Sequence, residues 1–360
     1  MKSEALRLLQ KLTQAHSVPG HEDEVRAIFV EELKGHGTLG HDGIGSLFCQ
    51  KESSLQNAPR VLVAGHMDEI GFRVQNIQPD GYLKIIPLGG WWGHSLLSQR
   101  VELKTADGTK IIGVVASKPP HFLPEAERAR VIPITEMLID IGATSKQEAQ
   151  AWGVRIGDPI APVSPWTQMH HDDLFLTKSF DNRVGMAGAI QIGREAENDL
   201  PCQLITAGTV QEEVGLRGAK TLANELQPDL VLVLEGPPAD DTPGMPPYES
   251  QGALGRGVQI RLQDPSAIMN PRLAQFAINT ARENDIPHQV TVRTSGGTDA
   301  GSFNIANNGI PCVVLGTPAR YIHSHNGIIN IHDHLAMIAL IHAMLKKLDA
   351  STVQNFTRFL

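Results

Sequence analysis

Residues 61–69, Val61-Leu62-Val63-Ala64-Gly65-His66-Met67-Asp68-Glu69, pass from four consecutive apolar side chains to a glycine, a histidine and two carboxylates. A short apolar run that ends this abruptly reads as a strand running into a loop. Working back from it, Val25, Ile28, Phe29 and Leu33 recur on one helical face, and Leu6, Leu9 and Leu12 do the same nearer the start. Two helices followed by a strand is how an α/β domain begins. At the carboxyl edge of an open α/β sheet, an imidazole at position 66 faces the crevice where ligands bind.

Forward of residue 71 the texture changes. Runs such as Tyr82-Leu83-Lys84-Ile85-Ile86 and Lys110-Ile111-Ile112-Gly113-Val114-Val115 are separated by Pro79-Asp80-Gly81 and Asp107-Gly108 turns. This is expected to be a small β domain, residues 71–163, inserted into a catalytic domain formed by 1–70 and 164–360. After Pro165 the alternation of strand and helix returns, with a helix after Asp181, strands at 203–209, 230–234 and 312–315, and a closing helix over about 334–348. The Pro/Gly-rich stretch 236–247 reads as a loop near the site. No internal repeat or low-complexity tract interrupts this order.

At 360 residues and 41% hydrophobic composition, the chain can bury a substantial core as one domain or two. Its formal charge of −8, from 39 acidic and 31 basic residues, comes without a dense Lys/Arg run, so nucleic acid is not an expected partner. Cys49, Cys202 and Cys312 form no C-x-x-C pair, which argues against a disulfide framework or thiolate zinc site and suits a reducing compartment. The charged N-terminal pattern is not that of a signal peptide, and no run of roughly 18 apolar residues offers a membrane span. The expectation is a soluble, cytoplasmic protein that does not engage membranes.

Five short motifs carry candidate chemistry. His66 is a candidate metal ligand, and Asp68, two residues on, can accept the other ring N–H; alone, H-x-D also describes an ordinary loop histidine. Asp181, in Ser179-Phe180-Asp181-Asn182-Arg183, reads either as a helix N-cap or as a carboxylate bridging two cations. Glu212 and Glu213 are adjacent carboxylates that repel one another unless something positive lies beside them. A metal would supply that charge, with one carboxylate bound and its neighbour taking a proton from water; a solvated acidic turn is the alternative. Glu235 follows the apolar run 230–234 and His323 follows the 312–315 strand, and either can be an ordinary strand-end residue. Together they place two histidines and several carboxylates at or just after strand ends, an N/O donor set suited to zinc or a similar divalent ion.

In this order the motifs closely resemble those of the TET-type di-metal aminopeptidases, metallopeptidase family forty-two, which includes the glutamyl and leucyl aminopeptidases. The resemblance spans nearly the whole chain: Pro19-Gly20-His21-Glu22, the 65–71 motif, Gly89-Gly90-Trp91, Phe180-Asp181-Asn182-Arg183, 212–219, Gly297-Thr298-Asp299-Ala300 and Arg320-Tyr321-Ile322-His323-Ser324. It implies a fold of a catalytic α/β/α sandwich of the zinc-exopeptidase type with an inserted, β-rich PDZ-like domain that pairs subunits. It implies two divalent ions per subunit, zinc first with cobalt or manganese as alternatives. One ion would be held by His66 and Glu235 and the other by Glu213 and His323, with Asp181 as the bridge. Glu212 becomes the general base, Asp68 the carboxylate behind the first histidine, and the 297–299 segment part of the substrate cleft. The expected substrates are peptides with a free N-terminus, and the expected assembly is a homo-oligomer, in the family a tetrahedral dodecamer.

Two departures stand out. Glu235 occupies a position where the family commonly has aspartate, which moves the ligand oxygen by one methylene. His325 follows Ser324 where proline is frequent, and is read as a neighbour rather than a ligand. Three rival functions share these residues: a carboxypeptidase or deacylase on the same di-metal core, a metal-independent glycosidase using a pair among Asp181, Glu212 and Glu235, and a non-catalytic metal-binding module. The non-ligating base Glu212 argues against the last.

Overall fold

The computed structural model describes every residue except Met1, Glu52 and Ser54. Its largest element is an eight-stranded sheet, ordered Thr38–His41, Leu47–Gln50, Gln203–Thr209, Arg60–His66, Leu230–Glu235, Cys312–Gly316, Val258–Gln263 and His288–Val292. The four strands carrying or preceding the site motifs, Gln203–Thr209, Arg60–His66, Leu230–Glu235 and Cys312–Gly316, run parallel at its centre. Their apolar runs are continuous because both faces are covered. Val61 and Val63 join Leu230, Leu232, Leu234, Val313 and Leu315 in one core. The alternate residues Leu62 and Ala64 join Val231, Val233, Cys312 and Val314 in another.

Helices Phe180–Glu195, Pro271–Glu283 and Ile331–Leu345 cover the first face, while Arg217–Leu226 and Ala300–Asn304 cover the second, giving three α/β/α layers. Phe180–Glu195 lies closest: a Cβ on Gly65 would stand 2.7 Å from the Gly185 carbonyl carbon, so glycine at 65 lets the strand end meet the helix backbone. The N-terminal helix Lys2–Thr13 buries Leu9 and Leu12, with Leu6 half-buried, and Asp23–Leu33 buries Val25, Ile28, Phe29 and Leu33, the face expected from the sequence.

The β-rich stretch forms a closed barrel of six strands, ordered Gly71–Ile77, Leu83–Leu88, Leu138–Asp140, Lys110–Ala116, Arg100–Lys104 and Pro159–Pro162 around its own core. A smaller four-stranded sheet, Thr167–Gln168, Leu174–Thr177, Gly327–Asn330 and Ala319–Arg320, lies beside the α/β/α layers and is not expected from the sequence. The closing helix runs over Ile331–Leu345, three residues earlier than expected at each end, and a further short helix, Ala350–Phe356, follows it. Asn330 explains the earlier start: its side chain accepts the His332 N–H and caps the helix there. Among the described residues no helix is long and apolar enough to cross a membrane.

Candidate active site

His66 closes its strand in register with Thr209 on one side. On the other, the pairing of Ala64 with Val233 brings Glu235, the last residue of its strand, level with His66. Glu212 and Glu213 lie on the turn just beyond Thr209. Asp181 enters from the start of the Phe180–Glu195 helix, and His323 from the loop after Ala319–Arg320. Ser179, Gln211, Tyr321 and His323 all have φ between 56° and 60°. Such left-handed backbone at non-glycine residues is held only where the surroundings enforce it.

The two histidines are oriented alike. The Nδ1 of His66 meets the carbonyl oxygen of Asp68 at 3.0 Å, and the Nδ1 of His323 meets that of Gly90 at 2.7 Å, so each Nε2 is left to face the cleft. The oxygens of Asp181 lie between them, Oδ1 3.1 Å from His66 Nε2 and Oδ2 3.3 Å from His323 Nε2. Glu235 approaches His66 Nε2 to 3.9 Å, Glu212 approaches it to 3.8 Å, and Glu213 approaches His323 Nε2 to 3.5 Å.

Asp181 is not the helix cap. Its ψ of 105° and the φ/ψ of Asn182 are not helical, and the capping contact comes from Asn182, whose Oδ1 accepts the Gly185 N–H at 2.9 Å. The Asn182 amide also donates to the Leu234 carbonyl at 2.7 Å, tying the helix start to the Glu235 strand. Asp68 differs in detail from the sequence expectation. Its carbonyl makes the contact to the His66 ring, its carboxylate stands 3.5 Å off, and that carboxylate accepts the backbone N–H groups of Glu212 and Glu213, each at 3.0 Å.

Beneath the cleft lies a polar cluster that the sequence did not signal, because Glu69 lies more than 100 residues from Lys178, Ser179 and Arg183. Arg183, fully buried, donates to the carbonyls of Leu12, Met67 and Asp68 and to Glu69. Lys178 and Ser179 donate to the same Glu69 carboxylate. The loop after His66 and the segment before Asp181 are thereby fastened to one another. His325 stays out of the cleft, buried with its ring 5.5 Å from that of Trp91.

The cleft itself, of about 460 Å³, is lined by Asp181, Glu212, Glu213, Glu235 and His323 on one side, with Gly297, Thr298 and Arg261 also on its wall. Burial raises Glu213 and Glu235 to about 8 and Glu212 well above the usual carboxylate range, with neighbouring carboxylates adding to the shift. Burial disfavours the charged His66 ring, but the carboxylates of Glu212, Asp181 and Asp68 outweigh it and hold the ring well above its ordinary value. Asp181 is held well below the ordinary range, its burial overcome by His323 and His66. Glu213 Oε1 is buried without a hydrogen-bond partner among the described residues. Crowded buried carboxylates, an orphaned oxygen and two Nε2 atoms turned inward fit divalent cations. His66 with Asp181 and Glu235, and His323 with Asp181 and Glu213, each bring ligand atoms within 4.8 Å of one another; His66, Glu212 and Glu213 do so as well.

Such a donor set at the carboxyl edge of parallel strands is that of a metal-dependent hydrolase. The chain belongs to the M42 glutamyl aminopeptidase family, whose sequence profile matches residues 45–340. It is 36% identical over 354 residues to the glutamyl aminopeptidase of Lactococcus lactis, covering 98% of each chain. It superposes on the TET aminopeptidase of a marine-sediment Thaumarchaeota archaeon with a TM-score of 0.94 and 40% identity, covering 98% of this chain and 99% of that one. The TET1 peptidase of Pyrococcus horikoshii, described as able to assemble into a tetrahedron or a large octahedral shell, matches with a TM-score of 0.83 and 31% identity over 95% of this chain and 99% of its own. The protein is a metal-dependent aminopeptidase, a hydrolase of peptides, and the family works with divalent metals.

Proposed function

We propose that His66, Asp181, Glu213, Glu235 and His323 hold two divalent ions and that Glu212 moves the protons in hydrolysis of the N-terminal peptide bond. The observation that carries this reading is Asp181, whose two oxygens approach different histidines, as a carboxylate bridging ions about 3.5–4 Å apart would. When bound, such ions polarise the scissile carbonyl and lower the pKa of water toward about 7. Glu212, raised by burial and by Glu235 against the His66 ring, takes up a proton readily and can hand it to the leaving amine. Asp68 steadies Glu212 and Glu213 through their amides. The imidazole and carboxylate donors suit zinc, with cobalt or manganese as alternatives.

Arg261 suggests which N-terminal residue is preferred. It lines the cleft, is 3% exposed, donates to Asp264 at 3.1 Å, and leaves its Nε without a partner among the described residues. A buried guanidinium on the wall of a cleft suits an acidic side chain, and the Lactococcus lactis relative is named a glutamyl aminopeptidase.

The chain divides into a catalytic part, 1–70 with 164–360, and an assembly barrel, 71–163; the dodecamer described for a solved TET1 relative supports a dodecameric homo-oligomer. Three buried free cysteines suit the cytoplasm. Glutamyl-, leucyl- and lysyl-anilides, each with a free or acetylated amine, test the activity reading. Hydrolysis of the free glutamyl substrate first, loss on acetylation or chelation, and a preference erased by Arg261→Met are expected. Cleavage of acetylated substrates would contradict the free-amine requirement, and activity that survives chelation would contradict the two-metal reading.

A further inference from the structure

The cleft does not end at His323. A second cavity of about 510 Å³ opens on its far side and shares Gly90, Ile322 and His323 with the first. The two differ in chemistry. The first presents four carboxylates and Arg261, whereas the second is walled by Trp91, Trp92 and Tyr321 and, among the described residues, has no Asp, Glu, Lys or Arg on its wall. Its floor is rigid, because Trp91 stacks on Phe72 at 4.9 Å and donates its indole N–H to the Gly71 carbonyl at 2.9 Å, fixing it to the barrel. Its rim is open: Trp92 is 69% exposed and Tyr321 48%.

We infer that this cavity is the leaving-side subsite, which takes the second residue of the peptide and favours an aromatic or large apolar side chain there. The inference rests on the reading that the N-terminal side chain lies toward Arg261. A peptide so placed carries its first amide bond past Asp181 and His323, and the space adjoining His323 beyond that point is the aromatic cavity. An exopeptidase needs one end of its site closed around the terminal residue and the other open for the rest of the chain, and the exposure of Trp92 and Tyr321 supplies the open end. The Gly90 carbonyl that orients His323 belongs to the same short segment as Trp91 and Trp92. The barrel therefore contributes to catalysis and to selection at one place.

The test uses the intact protein loaded with metal and the tripeptides Glu-Phe-Gly and Glu-Gly-Gly, with release of glutamate measured for wild type, Trp92→Ala and Trp92→Phe. Burial of a phenyl ring predicts that wild-type kcat/KM favours the Phe peptide by about tenfold or more, that Trp92→Ala reduces the ratio to within about threefold of one, and that Trp92→Phe restores most of it. Equal rates for the two peptides in wild type, or a ratio unchanged by Trp92→Ala, overturns the subsite. A change in particle mass in Trp92→Ala with the ratio intact also overturns it, since the aromatic rim would then belong to a contact between copies. Failure of wild type to cleave either peptide would instead strike the underlying reading that an N-terminal glutamyl side chain lies toward Arg261.

Discussion

The carboxylate of Asp68 accepts the backbone N–H of Glu212 on one oxygen and, on the other, that of Glu213, each at 3.0 Å. One side chain thus ties the loop after His66 to the loop bearing two of the proposed site carboxylates. Asp68→Asn puts an N–H where one of those amides expects an acceptor. A loss of about 10- to 100-fold in turnover or metal affinity is expected, measured by steady-state kinetics and metal titration with the fold checked by circular dichroism. Wild-type values for both would contradict the role.

Glu212 is expected to be the residue whose change separates binding from chemistry. Glu212→Gln should lower kcat by about 10² to 10⁴ while the metal content stays that of wild type. Near-normal turnover in this variant would remove Glu212 from the mechanism.

Arg183 supports the cleft from below. Arg183→Met strands the carbonyls of Leu12, Met67 and Asp68 and removes one of the cations beside Glu69. Breaking a buried ion pair by deleting one partner costs about 3–5 kcal/mol, which denaturant unfolding would read directly. A cost under about 1 kcal/mol would show that the cluster is not a support.

The stripped protein should respond to pH in a defined direction. Burial raises Glu213 and Glu235 from an ordinary 4.5 to about 8, and the carboxylates around His323 overcome its burial and raise it from 6.5 to about 9. Between these limits the folded chain holds protons that the unfolded chain has released, so stability falls as pH rises. Cations displace the same protons and bind more tightly as pH rises. The melting temperature of the chelator-treated protein is therefore expected to fall from pH 6.5 to 9, with the gap to the metal-loaded protein widening. A stripped protein that gains stability over that range would contradict the assignment.

Much of this was legible in the sequence because the central strands announce themselves. Four apolar residues before Gly65, and five before Glu235, mark strands buried on both faces, and the first polar residue after each falls at the sheet edge. His66, Glu212, Glu213, Glu235 and His323 are named from their place at or just after strand ends and Asp181 from its place ahead of a helix, and the structure brings the six together. What escaped depends on backbone atoms or on distant partners. Nothing in a sequence tells that the carbonyls of Asp68 and Gly90 orient the two histidines, or that Asn182 and not Asp181 caps the helix. Glu69, Lys178 and Arg183 find each other only after folding. The barrel was visible as β-rich texture, but its closure depends on Pro159–Pro162 pairing with both Gly71–Ile77 and Arg100–Lys104, a long-range register with no local signature.

The bridging role of Asp181 is tested most directly by metal content. Wild-type protein and Asp181→Ala, dialysed against the same low metal concentration, would be analysed for bound metal per chain. The account predicts about two ions in wild type and the loss of both together in the variant. An Asp181→Ala protein that keeps one ion at wild-type affinity would contradict it.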